Sequence, residues 1–377
     1  MVHEDRERAQ SVGDTTPSYP PVLRHHTDGR HIVDEQGRPL LLHGRLGSKV
    51  VCDRCGCPTQ VAICPSCHCL LPQGVEDGAL SVAVVGARNS GKTVFLSQLD
   101  WQLMHTVPER FGVAVDYPGG TAGLASKLQE YRKKMTDGQR QLPEQTRVEG
   151  NRGQAPAVYR WDWGPARKRH ASRVISIYDT PGEAVATLQR TTELGHLRAA
   201  DAVVLVIDPF SLSENRELAR EKGIDPGSET LANDVLDGLI GSLRYDDQNV
   251  GKGKLLTTPL AIAVTKMDAF WSQFPEGSPL RTTGEAVPYF DEEDSKSVHD
   301  FVLSQLQAWG GANLTNKIAA NFKTFRYFAV SALGDEPSYR DGRLTGTVSP
   351  TRVVDPVLWI LSGDRKFLPT DSSQSGS

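Results

Sequence analysis

The run Gly86-Ala87-Arg88-Asn89-Ser90-Gly91-Lys92-Thr93 constrains this chain more than any other stretch of it. It fits G-x-x-x-x-G-K-[ST], follows the apolar run 80–85 and opens a helical pattern over 92–104, so it asks for a strand, a tight loop and a helix in that order. Gly86 and Gly91 let the backbone wrap a phosphate with no Cβ in the way. The successive N–H groups of Arg88, Asn89 and Ser90, with the helix N-terminus behind them, supply donors and positive potential. Lys92 is placed to reach β and γ phosphates, and the Thr93 hydroxyl to hold Mg²⁺. The loop alone does not choose between adenine and guanine.

Such a loop belongs in an open sheet, and the surrounding sequence supplies one. Short apolar runs at 80–85, 174–178, 202–207, 260–264 and 325–330 each end at Gly, Asp, Lys or Ser, as buried parallel strands do. Helical patterns at 92–104, 184–199, 229–244 and 294–309 lie between them. This is a doubly wound α/β layout with helices on both faces. Residues 156–163 differ: Val158, Tyr159, Trp161 and Trp163 precede a polar turn, Gly164 to Arg173, and the run 174–178. That pair is expected to form an antiparallel hairpin at one edge of the sheet. The basic residues Arg167-Lys168-Arg169-His170 are its solvated tip.

Length and charge bound the rest. The 377 residues suffice for one large domain and a small one. A net charge of −4 gives no overall attraction to nucleic acid or to acidic membranes. No run approaches the roughly 18 apolar residues of a membrane span, and Met1 to Gln10 is charged with no apolar segment after it. A cytoplasmic protein is expected. Residues 1–22 form a disordered arm, 23–74 a small cysteine module and 79–363 the main domain. A Pro, Gly and acid-rich linker runs from Leu71 to Gly78, and a disordered tail covers 367–377.

Three further patterns fall at strand ends. Asp179-Thr180-Pro181-Gly182 is D-x-x-G after the run 174–178; its acid can hold the hydration shell of Mg²⁺, and the Gly182 N–H can face a γ-phosphate. Thr265-Lys266-Met267-Asp268 follows the run 260–264. Asp268 can accept from N1–H and the 2-amino group of guanine, a donor pair that adenine lacks, while the Lys266 stem lies along the base. Ser331-Ala332-Leu333 ends the last strand, where a small residue lets a backbone N–H approach guanine O6.

In this order the four motifs resemble the GTPase superfamily of P-loop proteins, in the branch of Ras-like and translation-factor GTPases. The likeness covers about Leu80 to Leu361. It implies a Ras-like sheet, guanine nucleotide exchange, slow GTP hydrolysis with Mg²⁺ and a molecular-switch function with an unknown effector. The ending Arg352 to Leu361, together with the fused cysteine module, is similar to the bacterial double-GTPase families. Two departures stand out. Thr265 replaces the usual Asn, which is expected to loosen the tie to the phosphate loop. Glu183 stands where Ras-like proteins keep a water-orienting Gln; a carboxylate accepts but cannot donate, so slow turnover is expected. The second Mg²⁺-binding Thr is assigned to Thr146, with Thr121 second, inside a long interval, 106–155; Arg147 and Arg152 nearby read as solvated loop arginines, with cis arginine fingers as the alternative. A second insertion, 209–258, carries two helical stretches and is expected to cap a face or bind a partner.

All six cysteines lie between Cys52 and Cys69. Cys52 and Cys55, with Cys64 and Cys67, make two C-x₂-C pairs, and two such loops aim four thiolates at one tetrahedral Zn²⁺, as in a zinc ribbon. Cys57, His68 and Cys69 are spare. Two other functions remain open at this point: a nucleotide-sensing adaptor with negligible turnover, and a zinc-ribbon nucleic-acid binder gated by nucleotide.

Overall fold

The computed structural model describes residues 26–27, 32–33, 50–51 and 58–59. From 78 to 370 it describes all but 119–120, 122, 138–139, 144–155, 165–171, 187–194, 227, 229–230, 246–253, 281–286, 337, 341–342 and 346. The chain divides into two compact units, Met1–Ala79 with Ser172–Val174, and Leu80–Ala171 with Ile175–Ser377. In the first unit β1 (His26–Thr27) pairs antiparallel with β2 (Ile32–Val33). Strand β3 (Val50–Val51) pairs antiparallel with β4 (Pro58–Thr59). Cys52, Cys55, Cys64 and Cys67, with Cys57, His68 and Cys69, lie outside the described residues.

The second unit is built on a seven-stranded sheet. Strand β5 (Ala79–Gly86) runs into the phosphate loop and α1 (Lys92–Met104), then α2 (Thr106–Phe111), β6 (Ala114–Asp116) and α3 (Gly123–Thr136). After these come β7 (Ala157–Asp162), β8 (Ser172–Pro181), α4 (Gly182–Ala186) and α5 (Gly195–Arg198). Strand β9 (Ala202–Ile207) leads through two 3₁₀ turns into α6 (Arg216–Glu221) and α7 (Leu231–Tyr245). Next are β10 (Leu260–Val264), α8 (Glu292–Ala308), α9 (Ala312–Asn321) and β11 (Phe325–Ala329). A short antiparallel pair, β12 (Ser338–Arg340) with β13 (Arg343–Thr345), precedes α10 (Asp355–Ser362).

The strand order is β11-β10-β9-β5-β8-β7-β6. Strands β5, β9, β10 and β11 are parallel, and their register brings Gly86 opposite Val206, and Val264 opposite both Ile207 and Ala329. Their carboxyl ends therefore open along one rim, where ligands of such sheets bind. Alternation along the strands separates two cores. Val82, Val84 and Val204 pack on one face with Phe95 and Leu99 of α1. Ala83, Val85, Leu205 and Ile262 pack on the other with Leu236 and Leu239 of α7. Helix α1 buries Phe95, Leu96, Leu99 and Leu103, spacings of a helical stripe.

The structure corrects two expectations. The edge of the sheet is β6, antiparallel to β7, so the pair expected at the edge lies one strand inward. The interval 106–155 thus contributes α2, β6 and α3 to the body of the domain rather than one long loop. Residues 367–369, expected in the disordered tail, are packed: Phe367 and Leu368 are fully buried, and the Phe290 N–H donates to the Pro369 carbonyl at 2.9 Å. Among the described residues no helix is long and apolar enough to cross a membrane.

Candidate functional site

The phosphate loop is shaped by residues that lack bulk. Asn89 (φ 65°) and Gly91 (φ 79°) adopt left-handed backbone, and the Phe95 N–H donates to the Gly91 carbonyl at 2.9 Å, starting α1. A Cβ on Gly86 would stand 2.8 Å from Ser90 Oγ and 2.9 Å from Val206 Cβ. Gly182, the last residue of D-x-x-G, passes closer still: a Cβ there would lie 2.5 Å from the Gly86 carbonyl oxygen. The two motifs touch backbone to backbone. Lys92 Nζ donates to the Asp179 carboxylate and, at 2.9 Å, to the Thr180 carbonyl, with both side chains largely shielded from solvent. Thr93 lies in the first turn of α1, half-buried, and Arg88 is exposed.

Behind this contact Thr180 is fully buried, its Oγ1 3.0 Å from His196 Nε2, and the His196 ring stacks on Tyr178 at 5.2 Å. Burial holds the His196 pKa below its ordinary value of 6.5. Glu183 is half-buried in the first turn of α4. Helix α4 meets α7 where α7 has Gly238; a Cβ at that position would sit 2.0 Å from the Val185 carbonyl oxygen.

Further along the rim, side chains rather than bare backbone set the geometry. The buried Thr265 hydroxyl donates to the Ser90 carbonyl at 2.6 Å. The expectation that Thr265 loosens the tie to the phosphate loop is therefore wrong. Placed at the end of β10, beside the Ile207 carbonyl that accepts from its N–H at 3.0 Å, it is close enough for a short hydroxyl to make the link. Lys266 (φ 55°) donates to Asp208 Oδ2 at 2.6 Å. Asp208 is an acid that directly follows the fully buried strand β9; that position was the only sequence signal for it. Burial raises the Asp208 pKa, against the pull of Lys266.

Asp268 is buried, and burial raises its pKa too, partly offset by the Ser331 hydroxyl that donates to Oδ1 at 2.8 Å. Ser331 Oγ in turn accepts from the Gly334 N–H at 2.8 Å. The Ser331 backbone pairs with Thr351 in both directions, at 3.1 and 2.8 Å, and the Leu333 carbonyl accepts from Ser349 N–H at 2.8 Å. Ala332 is buried in this loop.

Not every expected residue joins the site. Thr146, Arg147, Arg152 and the Arg167–His170 turn lie outside the described residues. Thr121 is exposed at a bend. Among the described residues no cluster of three or more His, Cys, Asp or Glu forms a metal site.

The family model described as Double-GTPase 2 matches residues 80–306, which hold the phosphate loop, D-x-x-G and Thr265 to Asp268. The chain belongs to the Double-GTPase 2 family. This Double-GTPase 2 protein is 29% identical over 338 residues to the "Putative ESX-1 scaffolding and assembly protein SaeC" of Mycolicibacterium smegmatis, covering 80% of each chain. Among solved structures it is similar to the Arl6 BBS3 small GTPase of Trypanosoma brucei, at 13% identity and a TM-score of 0.31 over 76% of this chain and 97% of that one. It is also similar to the GTP-bound Ski7 GTPase-like domain of S. cerevisiae, at 14% identity and a TM-score of 0.30 over 76% of this chain and 50% of that one. The family match spans neither Arg352 to Leu361 nor the cysteine segment, although the sequence resemblance to double-GTPases had leaned on both.

Proposed function

We propose that this protein binds GTP and Mg²⁺ at the rim from Gly86 to Leu333, hydrolyses GTP to GDP slowly, and acts as a nucleotide-dependent switch. The observation that carries the reading is Asp268: a buried carboxylate held by Ser331, on the same strand end as the Thr265 hydroxyl that grips the phosphate loop. A buried acceptor of this kind favours a base with two adjacent donors and rejects one that leaves it unpaired. The N–H groups of 86–93 and Lys92 would hold the phosphates.

The Thr93 hydroxyl and the Asp179 carboxylate are hard oxygen donors beside Lys92 and fit Mg²⁺, with Thr146 as the proposed switch ligand. The ion would neutralise charge on the β and γ phosphates. Gly182 would present its N–H to the γ-phosphate, and Glu183 would accept from the attacking water without donating to the phosphate. Cys52, Cys55, Cys64 and Cys67 offer four thiolates suited to a structural Zn²⁺ in a zinc ribbon.

Glu183 and the scaffolding and assembly named for the relative favour a second reading, an adaptor that recruits protein partners by nucleotide state with negligible turnover. Nucleic acid is the less favoured partner for a chain of net charge −4. The nucleotide that co-purifies with the full chain, read with multiple-turnover phosphate release, tests both. Guanine nucleotide with slow release supports the switch, guanine nucleotide with none supports the adaptor, and adenine nucleotide overturns the site.

A further inference from the structure

Resting on the guanine-nucleotide reading above, the pair Lys266–Asp208 bears on how one face of a base would be held. Lys266 is one of four non-glycine residues with positive φ among the described residues (φ 55°), so its side chain leaves the segment after β10 in a direction an extended backbone would not give. Its stem runs beside the phosphate loop, with Cε 3.9 Å from where a Cβ on Gly91 would stand. Its ammonium ends 2.6 Å from Asp208 Oδ2 and 5.9 Å from the centre of the Phe210 ring.

Asp208 is itself fixed. It is 8% exposed, and its Oδ1 accepts from the Phe210 N–H at 2.9 Å, capping the 3₁₀ turn Pro209–Ser211. One oxygen is thus committed to the turn and the other to the lysine. A long lysine side chain left to itself gives up much of its rotamer freedom when it is held in one place. The carboxylate supplies the anchor before any ligand arrives.

We propose that Asp208 is a positioning residue for nucleobase binding: by anchoring the Lys266 ammonium it holds the lysine stem flat as a platform for one face of a purine. Such a platform does not distinguish the substituents on the purine edge. Asp268 reads that edge. The two acids therefore fail differently when changed.

The test uses the full chain and the affinities of GDP, IDP and XDP. Asp208→Asn keeps an acceptor for the Phe210 N–H while removing the charge, so folding is preserved. It is expected to weaken all three nucleotides by a common factor of about ten, the scale of one charge-assisted hydrogen bond. Asp268→Asn instead reorders the three in favour of XDP. On a Lys266→Met background, which keeps an unbranched stem without the ammonium, Asp208→Asn should have no further effect. If Asp208→Asn leaves the affinities unchanged, or lowers them equally on the Met background, the anchoring role is overturned while the guanine reading stands. If the wild-type chain shows no preference for these nucleotides over ADP, both fall together.

Discussion

The two halves of the rim are made of different material. At the proposed phosphate end the chain removes side chains: Gly91 takes left-handed backbone, Gly86 leaves no room for a Cβ, and no methyl group fits between Gly182 and the Gly86 carbonyl. At the proposed base end the chain adds them: Thr265 reaches Ser90, Lys266 reaches Asp208, and Asp268 is held by Ser331 and, through it, by the Gly334 N–H. The first half leaves no room for bulk, and the second depends on partnered side chains. Substitutions should therefore fail abruptly at one end and by graded steps at the other.

The largest effect is expected from Gly182→Ala. Its new methyl overlaps backbone that cannot yield, so unfolding in urea should show a loss of about 3 kcal/mol, the upper range of overpacking, and guanine nucleotide binding should be lost. Binding and stability close to wild type would mean that the two motifs are not tightly opposed. Thr265→Val, nearly the same in shape, strips the Ser90 carbonyl of its buried donor and should cost about 1–2 kcal/mol. Thr265→Asn should recover part of this, and equal losses in both variants would refute the hydroxyl tie.

Ser331→Ala leaves the Asp268 carboxylate without its hydroxyl donor and should weaken GDP roughly fivefold. An isothermal titration in which ADP weakens as much as GDP would show that Ser331 acts on the fold and not on the base. The smallest effect concerns His196. Its pKa is lowered by burial, so the folded state binds fewer protons than the unfolded one below about pH 6.5, and its contribution to stability is present above that pH and lost as pH falls. His196→Gln should make the pH dependence of stability shallower in that window. His299, shifted the same way mainly by burial, leaves a residual slope. An unchanged slope would place the His196 ring in contact with solvent.

The same contrast explains what could be read from the sequence. The phosphate half was legible because its chemistry is written locally: glycines at fixed offsets after an apolar run. The buried strands β9 and β10 were legible for a similar reason, as continuous apolar runs cut off by Asp208 and Thr265. The base half depends on partners far apart in the chain. Nothing local says that Thr265 meets Ser90, or that Asp208 holds Lys266. Strand β6 escaped because Ala114–Asp116 has only three residues, and its pairing with β7 rather than its own pattern makes it a strand. Phe367 and Leu368 escaped because two apolar residues after Asp364, Arg365 and Lys366 carry no period, yet Phe367 packs edge-on against Trp161, 5.7 Å between ring centres.

One glycine outside the rim carries a mechanical consequence. Gly238 lets α7 seat directly on the carbonyl of Val185, so α4, the helix that continues from Gly182, bears on α7 with no cushion of side chain between them. Helix α7 is braced in turn on α9 by Lys317 to Asp237 and by Arg244 to Asn321. A part mounted in that way behaves as a pushrod. In the proposed switch, a shift of α4 along its contact would be passed to α7 or blocked by it, so the bracing of α7 on α9 would set how far α4 can travel.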